Sequence, residues 1–135
     1  LFRSLIMGGE IPNEIGAYYP ITLLAAVKPG MAAFDEEIFG PIFAVTKARN
    51  VEDALSLANQ TEFGLGAAVF TNDLKKGEEI AKFKLHAGAC FVNDFVKSNP
   101  HLPFGGVKNS GYGRELSQFG IHEFVNIKTV TASRS

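Results

Sequence analysis

Two hydrophobic periods alternate between Ile21 and Asn93, and that alternation leaves few folds open to the chain. Ile21 to Val27 is a short apolar run closed by Lys28-Pro29-Gly30, which reads as a buried strand ending in a turn. Ile42 to Lys47 reads as a second strand. Asn50 is placed to cap the next segment, in which Val51, Ala54, Leu55 and Ala58 recur at helical spacing, so a helix is expected to about Asn59. Gly64 and Gly66 mark the way out, and Gly66 to Phe70 is a third apolar run. Asn72 offers a cap for a second helix that carries Leu74, Ile80, Ala81 and Leu85, with Lys and Glu on the opposite face. Ala89 to Asn93 is a fourth strand. Short apolar strands joined by helices imply right-handed crossovers and a parallel sheet covered on both faces. The expected class is therefore α/β, a β-α-β-α-β parallel sheet with flanking helices.

After Asn93 the texture changes. Pro100, Pro103, Gly105, Gly106, Gly111 and Gly113 place a long irregular loop before a helical segment that starts near Arg114, and a loop of this length in a compact domain usually serves a site. Beyond Phe124, Val125 to Thr131 is β-prone and alternating, with no hairpin turn before it and no strand after it. A strand there is expected to pair backward or with another chain.

Composition narrows the function classes. The formal net charge is -1 and the basic residues are scattered, so no field exists to release counterions from a phosphate backbone, and a nucleic-acid partner is not expected. The longest apolar run, Ile21 to Val27, is far short of the roughly 20 residues of a membrane span, and no charged-then-apolar segment opens the sequence. The expectation is no membrane partner and a cytoplasmic location. The sequence opens on Leu1 instead of methionine, which reads as a piece of a longer polypeptide.

Several motifs fail on context. Gly64-Leu65-Gly66 leads into a strand, where a dinucleotide fingerprint must open a helix, and Val69 replaces its third glycine. Gly106 to Gly111 has the glycine spacing of a phosphate-binding loop, yet Tyr112 and Gly113 stand where Lys and Ser/Thr are required. His86, His101 and His122 are too far apart to share a helix face, and no metal site is expected from them. Cys90, the only cysteine, lies in the apolar strand Ala89-Cys90-Phe91-Val92, where desolvation raises a thiol pKa; it reads as a buried structural residue. No covalent catalyst and no Ser/His/Asp order is evident, so no catalytic residue is assigned.

Asp35-Glu36-Glu37-Ile38-Phe39-Gly40-Pro41 by itself reads as a solvated acidic turn before a strand. Four segments in one order change that reading. Glu36 to Pro41 matches a Glu-Glu-x-Phe-Gly-Pro pattern, Phe63-Gly64-Leu65 an aromatic-Gly-Leu pattern, and Ala87 to Asn93 an Ala-Gly…Val-Asn strand; Pro103 to Glu115 matches Pro-Phe-Gly-Gly-x-Lys-x-Ser-Gly-x-Gly-Arg-Glu. Together they resemble the NAD(P)-dependent aldehyde dehydrogenases, from about Gly8 to the end of the chain, and Arg114 to Phe124 resembles the succinate-semialdehyde type.

The resemblance implies the C-terminal part of the family's catalytic domain over residues 1–124, with an oligomerisation strand and tail over 125–135. Enzymes of this family attack an aldehyde with a cysteine thiolate, pass hydride to a nicotinamide and hydrolyse the thioester with glutamate-activated water. The resemblance places that cysteine and that glutamate upstream, so the chain alone is expected to be inactive. It makes Glu37 the carboxylate that accepts from the nicotinamide ribose hydroxyls of NAD or NADP, and Phe39 the aromatic that limits nicotinamide movement. It places Ser98 near the carboxylate of a small aldehyde substrate, succinate semialdehyde, and Phe104 by the aldehyde tunnel. It also implies a homo-oligomer built through the C-terminal strand. A different aldehyde, or a non-catalytic assembly module pairing through its terminal strand, are the alternatives the residues leave open.

Overall fold

The computed structural model describes residues 4–134, so Leu1, on which the expectation of a longer polypeptide rests, lies outside the described residues. In chain order the elements are β1 (Ser4–Met7), β2 (Thr22–Ala25), α1 (Ala32–Asp35), β3 (Ile42–Ala44), α2 (Val51–Gln60), β4 (Phe63–Gly64), β5 (Gly66–Val69), α3 (Leu74–Phe83), β6 (Ala89–Val92), β7 (Val107–Lys108) and α4 (Ser117–His122). They form two compact units, Leu1–Thr61 and Glu62–Ser135, a boundary that falls inside the expected 1–124 segment.

In the first unit β2 pairs with β3 in parallel, Thr22 opposite Ile42, and the ladder runs on through Val45 N to Leu24 O (2.8 Å) and Val27 N to Val45 O (3.1 Å). Thr22 and Leu24 point inward with strand alternation. Ala26, at φ 55°, then inserts an extra residue, so that Val27 takes the next inward place. Thr22, Leu24 and Val27 are 2%, 8% and 1% exposed and form the centre of this unit. Antiparallel β1 covers the other edge of β2, a pairing the sequence did not announce.

α2 begins at Asn50, as the sequence led us to expect. The Asn50 Oδ1 accepts from Asp53 N (2.8 Å), which satisfies one orphan donor of the helix start, while the Asp53 carboxylate accepts from Arg49 N (2.9 Å), the residue before the cap. The Arg49 guanidinium also donates to both Asp53 oxygens, at 3.1 and 2.9 Å, and holds that carboxyl at about 2.

In the second unit β5 and β6 pair in parallel from Gly66↔Ala89 to Val69↔Val92, and α3 packs on both. The cap of α3 is Asp73 instead of Asn72: the helix starts at Leu74, and Asp73 Oδ1 accepts from Lys76 N (3.0 Å). Aspartate caps as well as the asparagine expected one position earlier, so the start of the first turn decides which of the two is used. Gly77 is the buried residue of α3 and lets the helix approach Val92 closely.

The expected sheet is corrected. One parallel sheet through all four apolar strands is not what forms; the described strands make a three-stranded sheet β1-β2-β3 and two two-stranded sheets, β4-β7 and β5-β6. Phe63–Gly64 pairs antiparallel with Val107–Lys108 because the glycine-rich stretch presents main chain with few side chains in the way. Where a strand pairing backward or with another chain was expected, residues 125–134 carry no regular structure, and Ile127 and Val130 are 84% and 79% exposed. A strand requires hydrogen-bonding partners, and none pairs with this segment among the described residues. The last helix starts at Ser117 instead of near Arg114, because Glu115 bridges Phe104 and Leu116 follows at φ 64°.

Candidate functional site

The acidic motif sits at the edge of a cleft in the first unit, of about 480 Å³, lined by Leu5, Gly9, Tyr19, Thr22, Glu36, Glu37 and Ile38 among others. The single turn of α1 ends at Glu36, whose N–H reaches Ala32 O (2.9 Å), and the chain leaves it extended. Glu37 is thereby placed in the lining, exposed, and no hydrogen bond or ion pair among the described residues engages its carboxylate. Two acceptor oxygens on one rigid edge can take two neighbouring hydroxyls, the donor arrangement of a ribose diol. Phe39 is not in this lining. It stands at φ 49° and is 92% exposed, so a conformation costly for a bulky residue turns the ring outward between Ile38 and Gly40.

The long glycine motif is mainly wiring. Phe104 and Glu115 exchange both backbone hydrogen bonds (2.9 and 2.8 Å), which closes the loop between them. Arg114 donates from within to Gly106 O (2.9 Å) and Gly113 O (2.6 Å). Ser110 Oγ accepts from Gly64 N (2.9 Å), and Asn109 N donates to Glu62 O (3.0 Å), so the loop is clipped onto β4. The motif's specificity therefore lies in holding a shape more than in presenting reactive groups.

Phe104, half-buried, opens onto a cleft of about 470 Å³ shared with Cys90, Phe91, Asp94, Lys97 and Leu102. Ser98 is exposed and does not itself line that cleft, although its neighbours Lys97 and Asn99 do. Lys97 pairs with Asp94 at 2.7 Å and lowers its carboxyl. Cys90 is half-buried, less than the fully buried residue expected; burial pushes its thiol up, and its Sγ rests 3.9 Å from Ala87 O. A thiol in this state is a poor nucleophile. A third hollow, of about 560 Å³, lies against Tyr112 to Ser117 and α4 and contains none of the expected residues.

Sequence reasoning missed two residues that shape these surfaces. Thr22 has its hydroxyl between Gly9 N and Pro20 O, both at 3.0 Å; a threonine inside the apolar run Ile21–Val27 was the only signal. Asn93, at φ 53°, continues the strand edge with its side chain, accepting from Thr71 N and donating to Thr71 O, both at 2.8 Å. No group of three or more His, Cys, Asp or Glu able to hold a metal occurs among the described residues. No helix among them is long and apolar enough to cross a membrane.

A family model described as the aldehyde dehydrogenase family matches residues 3–130. A protein of Escherichia coli strain K12 named succinate semialdehyde dehydrogenase, NAD(P)+, is 51% identical over 130 residues, covering 96% of this chain and 28% of its own length. The succinic semialdehyde dehydrogenase of Streptococcus pyogenes, solved in complex with NADP+, superposes with a TM-score of 0.91 at 35% identity, over 98% of this chain and 29% of that one. The Mycobacterium tuberculosis aldehyde dehydrogenase complexed with NAD+ does so with a TM-score of 0.84 at 36% identity, over 90% and 25%. The chain thus spans between a quarter and a third of the length of these proteins.

Proposed function

This chain belongs to the aldehyde dehydrogenase family, and from that premise we propose that it is one part of an enzyme that oxidises an aldehyde, succinate semialdehyde, to the acid with NAD or NADP. The cofactor, when bound, accepts the hydride. The chain's own contribution is to position: the Glu37 carboxylate receives the ribose hydroxyls, Phe39 restricts the ring, and Phe104 lines the approach of the aldehyde. The nucleophile and the base belong to the part of the enzyme outside this chain. The observation that carries the reading is the unengaged Glu37 carboxylate on the cleft edge, inside the motif Glu36 to Pro41. The succinate preference rests on the 51% identity to a succinate semialdehyde dehydrogenase.

In the full-length enzyme, Glu37→Gln keeps the size of the side chain and removes the charge that strengthens a hydroxyl bond. Cofactor binding and hydride transfer together are expected to weaken by about 1–3 kcal/mol, the scale of a charge-assisted hydrogen bond. Calorimetric titration with NAD+ and NADP+, alongside single-turnover kinetics, measures both parts. Wild-type values in each would return Glu37 to a solvated turn.

The free segment 125–131 supports a second role in the same enzyme, strand addition to another subunit. Val125, Ile127, Thr129 and Thr131 alternate with Asn126, Lys128 and Val130, and the apolar members are exposed. Removing the residues after Phe124 from the full-length enzyme is expected to lower its mass in solution by at least one dissociation step. Light scattering that finds the oligomer unchanged would place the subunit contact elsewhere.

A further inference from the structure

We propose that the Thr22 hydroxyl is the positioning group of the Glu37 cleft, a reading that rests on Glu37 as a cofactor contact. Thr22 is the only buried polar side chain among the described residues, at 2% exposure. Its backbone and its side chain fasten different walls. The backbone N–H donates to Pro41 O at 2.9 Å and Thr22 pairs with Ile42, which fixes the end of the motif that carries Glu36 and Glu37. The hydroxyl accepts from Gly9 N and donates to Pro20 O, which fixes the Gly8–Gly9 turn and the stretch through Tyr19. Gly9, Tyr19, Glu36 and Glu37 all line the one cleft.

The fit leaves little room for an alternative packing. Gly8 stands at φ 77°, and a methyl built on it would lie 2.6 Å from Thr22 Oγ1 and 2.9 Å from Thr22 Cα, so the turn rests directly on Thr22. Without the hydroxyl, the Gly9 N–H loses its acceptor and the turn loses its tie to β2, while the backbone bond to Pro41 remains. The cleft then keeps one wall and frees the other. Thr22 does not touch the cofactor in this account; it sets the width of the surface from which Glu37 does.

The test is made in the full-length enzyme with Thr22→Val, Thr22→Ser, Glu37→Gln and the double variant Thr22→Val/Glu37→Gln. NAD+ and NADP+ affinities are read by calorimetry and exchange of the Gly9 amide by hydrogen–deuterium labelling. Thr22→Val is expected to weaken dinucleotide binding about tenfold, the consequence of one lost hydrogen bond, and to speed exchange at Gly9. Thr22→Ser retains the hydroxyl and is expected to hold both near wild type. The double variant is expected to bind about as weakly as Glu37→Gln alone, because both changes act on one contact. Tight binding by Thr22→Val beside weak binding by Glu37→Gln would overturn the Thr22 proposal and leave the Glu37 reading standing. Equal weakening by Val, which lacks the hydroxyl, and Ser, which keeps it, would show that the hydroxyl is not the group responsible and overturn the proposal as well. Wild-type binding by Glu37→Gln removes both. If Thr22→Val does not fold, Thr22→Ala compared with Thr22→Ser gives the same contrast.

Discussion

The 135-residue chain, purified by itself, is expected to reduce neither NAD nor NADP when given succinate semialdehyde or a simple aliphatic aldehyde. Thioester chemistry needs a thiolate near neutral pH and a base to make it. Cys90 is the one cysteine of the sequence, and its surroundings favour the protonated thiol, since burial raises its pKa. The carboxylate that lines its cleft, Asp94, is held ionised by Lys97 and is committed to that pair. None of the three histidines lines the cleft of Cys90 or the cleft of Glu37. The apolar surface points the same way. Leu24 and Val27 are the buried hydrophobic residues among those described, while Ile6, Phe70, Phe95 and Phe124 are exposed at 60%, 62%, 75% and 90%. Exposure on this scale marks surfaces made to be covered, and the chain is 28% of the length of its Escherichia coli relative. Reduced nicotinamide is followed by absorbance over hours, with Cys90→Ala as the paired variant. Turnover lost in that variant would make Cys90 the nucleophile; turnover retained would reveal another catalytic group, and either result overturns the expectation.

The parts of this fold that were legible are those set by neighbours in sequence. α2 could be read because Asn50 caps it from the adjacent position and Val51, Ala54, Leu55 and Ala58 mark one face. β2, β3, β5 and β6 could be read because each is a short apolar run between turn residues. Partner choice was not legible. Ser4–Met7 pairs antiparallel with β2 across a gap that includes three glycines, and no local pattern specifies that. The two-residue pairing of β4 with β7 depends on main chain from a loop more than 40 residues away, which Ser110 and Asn109 fasten in place. The segment after Phe124 has a strand's composition and no ladder, which shows that propensity without a partner does not make a strand.

The site divides in the same way. Glu37 stands out only through the whole run Glu36 to Pro41, since an isolated acidic pair before a strand is ordinary; the structure adds the cleft and the unengaged carboxylate on which its proposed role rests. Phe39 stands out through the same run, but its positive φ does not, because a left-handed conformation at a non-glycine residue is imposed by the surrounding chain. Thr22 left no sequence signal beyond a hydroxyl in an apolar run, for its partners lie at Gly9 and Pro20 and its role is defined only by their geometry.

Replacing Gly88 by alanine is expected to destabilise the second unit by about 3 kcal/mol, the upper end of the usual cost of overpacking. Gly88 precedes β6, and its N–H donates to Gly64 O at 2.9 Å. A methyl built on it would overlap the Gly105 carbonyl and stand 2.8 Å from Gly105 C and 3.1 Å from Gly106 Cα. Every one of these neighbours is backbone, so no side chain can rotate away; relief requires the loop that Phe104 and Glu115 close to shift as a body. Such a shift pulls Val107–Lys108 from Phe63–Gly64 and strains the Ser110 and Arg114 hydrogen bonds. Gly77 supplies the contrast. Its added methyl would meet Thr71 Cγ2 and Val92 Cγ1, each at 2.8 Å, which belong to side chains and not to backbone and yield only by a turn about χ1, and alanine inside a helix recovers about 1 kcal/mol of propensity. Gly77→Ala is therefore expected to cost far less than Gly88→Ala. Both contacts are internal to this unit, so the comparison holds in the full-length enzyme. Hydrogen exchange across residues 62–110, with thermal denaturation of the two variants, measures it. A Gly88→Ala protein as stable as Gly77→Ala would mean that the glycine loop is not clamped against β6, and the wiring role assigned to the Pro103–Glu115 motif would fall with it.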